Sequence, residues 1–111
     1  MVRRLFIETD EFKAIVKELK ITQEQLQLLQ IELLANPNKG DLMVGTGGAR
    51  KVRMGRKGSG KSGGYRIMYL DLSHAGVTYL IYLFDKGESD NLTAPQKAWV
   101  KSMVEAIKAE Y

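Results

Sequence analysis

The glycines of this chain are concentrated in one stretch: residues 40–64 hold nine of the eleven. Glycine weakens the interior of a helix or strand because it loses more backbone freedom on ordering than other residues do. No long regular element can run through that stretch, so it separates an N-terminal part able to form helices from a C-terminal part able to form most of a sheet. One short alternating piece interrupts it, Ala49-Arg50-Lys51-Val52-Arg53-Met54. As a strand, this piece puts Lys51 and Arg53 on one face and Val52 and Met54 on the other. Such a strand can rest on a core while presenting cations to solvent.

The flanks read more simply. Leu5-Phe6-Ile7 is the centre of a short first strand. Asp10 is placed to cap a helix through Leu19, with Phe12, Ile15, Val16 and Leu19 on one face. Thr22-Gln23-Glu24-Gln25 is a capping box that opens a second helix with an apolar stripe of Leu26, Leu29, Leu33 and Leu34. Asn36-Pro37 ends that helix, because a residue before proline avoids the helical region. The connection of about two residues makes the two helices an antiparallel hairpin. After the glycine-rich stretch come a strand over Tyr65–Asp71, a turn at Ser73–Gly76 and a strongly apolar, central strand over Val77–Phe84. Thr93-Ala94-Pro95-Gln96 repeats the capping box and starts a last helix carrying Trp99, Val100, Met103, Val104, Ile107 and Tyr111. The order βααβββα predicts an α+β fold with a mostly antiparallel twisted sheet, an N-terminal helix hairpin and a C-terminal helix. At 111 residues, one domain over 1–111 is expected.

Composition removes several functions. There is no cysteine, which excludes disulfides and thiolate metal sites and fits a reducing, cytoplasmic setting. The one histidine, His74, falls in the Ser73–Gly76 turn and is expected at the surface. It argues against a His-rich metal site and against a two-histidine ribonuclease. No apolar run is long enough for a transmembrane helix or a secretory signal. The net charge of +4 is modest, but its distribution is not. Between Asp41 and Asp71 stand Arg50, Lys51, Arg53, Arg56, Lys57, Lys61 and Arg66, with no acid among them. In the rest of the chain acids outnumber bases. A positive field concentrated in this way favours a polyanion, most commonly nucleic acid.

One motif is a decoy. Gly55-Arg56-Lys57-Gly58-Ser59-Gly60-Lys61-Ser62 satisfies the P-loop pattern G-x-x-x-x-G-K-[ST]. A phosphate-wrapping P-loop must open a helix at its Lys-Ser pair. Here Ser62-Gly63-Gly64 leads into the β-rich Tyr65–Leu70, with no crossover helix before the acid Asp71. The match is expected to be chance in a Gly/Lys/Ser-rich loop. The loop's backbone N–H groups can still approach a nucleic-acid phosphate.

Three segments together resemble a known family. Asn36-Pro37 with Gly40-Asp41, then Gly45-Thr46-Gly47-Gly48-Ala49-Arg50-Lys51-Val52-Arg53, then Gly58–Tyr69 are similar to the central signature of the HigB-type RelE branch of the RelE/ParE superfamily of toxins. The order of elements resembles that superfamily over nearly the whole chain. The resemblance implies a cytoplasmic type II toxin, a ribosome-dependent mRNA endonuclease (an mRNA interferase) that inhibits translation. It implies no metal or organic cofactor, a cognate antitoxin of the helix-turn-helix kind, and the ribosome and mRNA as further partners. By position it implies Lys51, Arg53, Arg66 and Lys86 as catalytic residues. The family's arginine beside that late lysine is Gly87 here, and its late tyrosine falls around Leu92-Thr93. Arg50, Arg56, Lys57 and Lys61 are the further RNA-binding candidates, and the last three can supply charge missing elsewhere.

These residue types suit RNA cleavage by attack of the 2′-OH on the adjacent phosphate. That step needs a base, cations for the developing charge and a proton for the leaving 5′-oxygen. A lysine serves as base only in its neutral form, which neighbouring cations favour, and Lys51 stands between Arg50 and Arg53. Arg66 offers a planar fork to phosphate oxygens. Blander uses of the same residues stay open: Lys51 and Arg53 as grips without chemistry, Arg66 as a brace of the sheet, and Lys86 as a solvated strand end. Two other functions also stay open, an RNA- or ribosome-binding module without catalysis and a ParE-like inhibitor of DNA gyrase.

Overall fold

Three threonines set the starts of the helices. The computed structural model describes residues 4–55, 64–85 and 92–111. Strand β1 (Leu5–Glu8) leads into helix α1 (Asp10–Glu18). The cap of α1 is Thr9 and not Asp10: the Thr9 hydroxyl accepts the Phe12 N–H at 3.1 Å and donates to the Ile81 carbonyl at 2.6 Å. A threonine that can hold both the helix and the sheet outcompetes the aspartate, which lies in the first turn and complements the helix dipole. The link to helix α2 (Gln23–Ala35) is four residues, longer than expected, with Lys20 turning the chain at φ 56°. The capping boxes at Thr22 and, for helix α3 (Ala94–Ala109), at Thr93 form as the sequence predicts.

The sheet has five strands, one more than the sequence pattern indicates. Strand β2 (Asp41–Leu42) is two residues long and pairs antiparallel with strand β3 (Arg50–Met54). Strand β4 (Tyr65–Leu72) pairs antiparallel with β3 on one side and with strand β5 (Val77–Asp85) on the other. A 3₁₀ turn over Ser73–Ala75, ending on Gly76 in the left-handed region, joins β4 to β5. The order is β1-β5-β4-β3-β2, with β1 parallel to β5. The central strand is therefore β4, and β5 lies one place off centre. β3 and β4 are antiparallel neighbours, whereas a P-loop strand meets its neighbour in parallel after a crossover helix; Arg56–Ser62 of the P-loop match lie outside the described residues. Asp71, the acid that a P-loop reading would assign to magnesium, is occupied. Arg4 pairs with its Oδ1, Thr78 donates to Oδ1 at 2.8 Å and Ser73 donates to Oδ2 at 2.7 Å.

Both faces of the sheet are covered, by different helices. Val52, Met54, Tyr65, Ile67 and Tyr69 face the α1–α2 hairpin and meet Phe12, Leu26, Leu29 and Leu33. Ala49, Leu70, Leu72 and Ile81 face α3 and meet Val100, Val104 and Ile107. A bulge in β5 makes this division possible. Met68 pairs with Tyr82 but Tyr69 pairs with Leu80, so Ile81 is the extra residue. Leu80 and Leu83 consequently both serve the hairpin side. Tyr79 and Tyr82 pack on the α3 side, Tyr82 with its ring centroid 5.7 Å from that of Trp99. Leu34 does not join the buried stripe of α2, and Leu28 and Ile31 are exposed with it. His74 is exposed, as expected. No helix among the described residues is long and apolar enough to cross a membrane.

Candidate functional site

The glycine-rich signature proves to be scaffolding for strand β3. Gly45, Gly47 and Gly48 adopt positive φ values of 80°, 80° and 122°, which favour glycine strongly. The buried Thr46 hydroxyl closes the same turn, donating to the Met43 carbonyl at 2.8 Å and accepting from the Ala49 N–H at 3.2 Å. At the other end of β2, the Tyr69 hydroxyl donates to the Pro37 carbonyl at 2.8 Å and accepts the buried Gly40 N–H at 2.9 Å. Burial raises the pKa of the Tyr69 hydroxyl above its ordinary value, against the lowering effect of the Gly40 hydrogen bond. Gly40 is required for this approach: a Cβ there would lie 2.8 Å from the Lys51 carbonyl and 2.8 Å from the Tyr69 ring. Asn36-Pro37, Gly40-Asp41 and Gly45–Gly48 thus hold β2 against β3.

On that scaffold, alternation does what the sequence predicts. Val52 and Met54 are buried toward the helix hairpin, while Lys51 is half-buried and Arg53 exposed on the opposite face. The register sets Arg53 directly across from Arg66, and Lys51 across from Met68. Lys51, Arg53 and Arg66 therefore lie on one face of the sheet, the face that α3 only partly covers. Arg66 is 7% exposed and has Phe84 as its neighbour on the β5 side. Like charges directly opposite each other weaken a ladder.

Arg50 does not join them. It lies on the hairpin side, opposite Tyr69, and its Nη1 donates to the Gly40 carbonyl at 2.8 Å and the Asn38 carbonyl at 3.4 Å. Its charge braces the turn before β2 and is not beside the Lys51 ammonium as adjacency in sequence suggests. Arg56, Lys57, Lys61 and Lys86 lie outside the described residues.

Sequence reasoning did not single out Asp41 or Lys97. A cleft of about 380 Å³ opens between the β2–β3 hairpin and the start of α3, lined by Asp41, Leu42, Met43, Val44, Lys51, Leu92 and Lys97. Asp41 is the ladder partner of Lys51. Lys97 comes from 46 positions further along, and no spacing rule connects it to Lys51. Among the described residues, no group of three His, Cys, Asp or Glu side chains is placed to hold a metal ion.

A mixed five-stranded sheet with a helix hairpin on one face, and with a lysine and two arginines beside a partial helix cover on the other, defines an α+β protein with a cationic sheet face. The model of the RelE toxin of the RelE/RelB toxin–antitoxin system matches residues 3–110. The chain belongs to that family and is the toxin of a toxin–antitoxin system. Its fold is similar to that of the E. coli toxin RelE, solved in the free state as a mutant with two arginines replaced by alanine. The two share 20% sequence identity at a TM-score of 0.54, over 79% of this chain and 88% of that one.

Proposed function

We propose that this toxin is a metal-independent endoribonuclease of the HigB-type RelE branch, cutting mRNA bound to the ribosome in the cytoplasm. The observation that supports this most is the convergence of Lys51, Arg53 and Arg66 on one sheet face, with Arg53 directly opposite Arg66. In this reading the RNA 2′-oxygen attacks the adjacent phosphorus and the bond to the 5′-oxygen breaks. A 2′,3′-cyclic phosphate and a 5′-hydroxyl are left. Arg53 and Arg66 donate hydrogen bonds to the phosphate oxygens as charge develops on them. Lys51, on the same face, handles the proton that leaves the 2′-hydroxyl or the one that joins the 5′-oxygen. Lys86 completes the set by its position in the sequence. No histidine or carboxylate pair is assigned to the reaction, so the ribosome supplies the orientation that these groups lack. A cognate antitoxin of the helix-turn-helix kind holds the toxin silent.

The test is expression without an antitoxin, with mRNA ends mapped in the arrested cells. The expected result is halted translation with cuts at codon positions, and loss of both in Lys51→Ala and in Arg66→Ala. Wild-type cleavage in both variants would refute the assignment. Growth arrest with intact mRNA and damaged DNA would point to gyrase, and harmless expression to a binding module.

A further inference from the structure

We propose that the cleft between the β2–β3 hairpin and the start of α3 is a second RNA subsite. There Lys97, beside Lys51, holds the phosphodiester next to the one that is cut, and Leu42 and Val44 support the adjoining base. The subsite rests on the RNA-cleaving reading above and extends it to a residue and a surface that reading does not use.

Charge arithmetic within the cleft makes Lys97 decisive. Among the described residues its charged lining is Lys51, Asp41 and Lys97. Asp41 and Lys51 are direct ladder partners, so together they bring no net charge. Among the described lining residues Lys97 tips the balance to a net positive charge. Apart from Arg53, which belongs to the cationic face, the other described cations near the hairpin and along α3 have partners of their own. Lys39 pairs with Glu32 at 3.0 Å, Lys101 lies 4.0 Å from Glu105, Lys108 donates to the Gly47 carbonyl and Arg50 donates to the Gly40 carbonyl. Lys51 and Lys97 form no ion pair with any described residue.

The lysine side chain lies over the hairpin turn. A Cβ on Gly45 would lie 3.5 Å from the Lys97 Cε and 3.7 Å from its Nζ, so the side chain lies across the glycine turn. With φ of 80° at Gly45, the turn both favours glycine and leaves that path clear. The rim is apolar where a base needs it to be: Leu42 is 60% exposed and Val44 83% exposed, and neither joins a core cluster of the described residues. A volume of about 380 Å³ is within the ordinary range for small-ligand clefts, roughly 300–1,000 Å³. Lys51 also lines a neighbouring cleft with Arg53 and Asp41, so a strand passing Lys97 reaches the cationic face by way of Lys51.

The experiment uses the full-length chain, a labelled single-stranded RNA oligonucleotide and a series of salt concentrations, together with cleavage of mRNA on ribosomes. Lys97→Ala is expected to weaken oligonucleotide binding and to lower the slope of log K against log salt by about 0.7, one single-strand phosphate contact. On ribosomes it should raise KM while kcat is retained, since the contact is made equally in ground and transition states. Lys97→Arg should keep the slope, Asp41→Asn should tighten binding, and Lys101→Ala should change neither measurement. The subsite is overturned if Lys97→Ala matches wild type in both assays while Lys51→Ala is impaired, an outcome that leaves the RNA-cleaving reading standing. It is overturned equally if the wild-type chain binds the oligonucleotide with no salt dependence. If Lys51→Ala and Lys97→Ala are both indistinguishable from wild type, the subsite and the reading beneath it fail together.

Discussion

Replacing Tyr69 by phenylalanine removes one oxygen atom and two hydrogen bonds, and the structure sets the cost. The ring stays in place in the core under the helix hairpin, so little packing is lost. The Gly40 N–H is buried and loses its acceptor; an unsatisfied buried group of that kind costs about 1–3 kcal/mol. The Pro37 carbonyl loses its donor but is only half-buried and regains water, at about 0.5–1 kcal/mol. The sum is about 1.5–4 kcal/mol, centred on about 2–3 kcal/mol. At about 4 °C per kcal/mol for a domain of this size, the melting temperature should fall by about 8–12 °C. Urea unfolding followed by the fluorescence of Trp99, the one tryptophan, reads this as a lower midpoint with an unchanged slope. Tyr79→Phe is the control, since its hydroxyl meets only the exposed Tyr111 hydroxyl; a loss below about 0.5 kcal/mol is expected there. A Tyr69→Phe loss as small as the control's would refute the view that this hydroxyl ties the Pro37–Gly40 turn to the sheet.

Gly40→Ala should cost on the order of 1–3 kcal/mol, because the new Cβ meets backbone at the Lys51 carbonyl; an unchanged denaturation midpoint would contradict the close approach. Arg66→Lys should lower cleavage of ribosome-bound mRNA roughly 10²–10³-fold while the far-UV spectrum is kept, because an ammonium cannot reproduce the planar fork; full activity would show that charge alone suffices. The Tyr79 hydroxyl is pushed up to about 12 by its hydrogen bond to Tyr111. Its folded pKa lies above the unfolded value near 10, so the contact's stabilisation is present below about pH 10 and is lost as pH rises through 12. Tyr111→Phe should return one tyrosine titration toward 10 in a tyrosinate absorbance experiment, and an unmoved curve would exclude the pairing.

Much of the fold is legible from local signals. The capping boxes at Thr22 and Thr93 identify themselves by a threonine and a glutamine three positions on, because both hydrogen bonds form within one helical turn. The two faces of β3 follow from strict alternation. What was missed has a non-local cause. Thr9 wins the α1 cap through a bond to Ile81, 72 positions away. Strand β2 is too short to show a period and exists because β3 offers it a ladder. The bulge at Ile81 depends on how β4 and β5 are packed between two helical layers. Leu34 fits the apolar pattern of α2, yet three other leucines fill the contact first.

The candidate site divides along the same line. That Lys51 and Arg53 share a face is a property of the strand period, and any sheet containing 50–54 would show it. That Arg66 stands opposite Arg53, that Arg50 turns away to the Gly40 carbonyl and that Lys97 enters the cleft of Lys51 were decided only in three dimensions. Local sequence determines periods and caps because those interactions close within a few residues. Register and cross-element charge depend on which segments the packed core brings together, and no single segment carries that information.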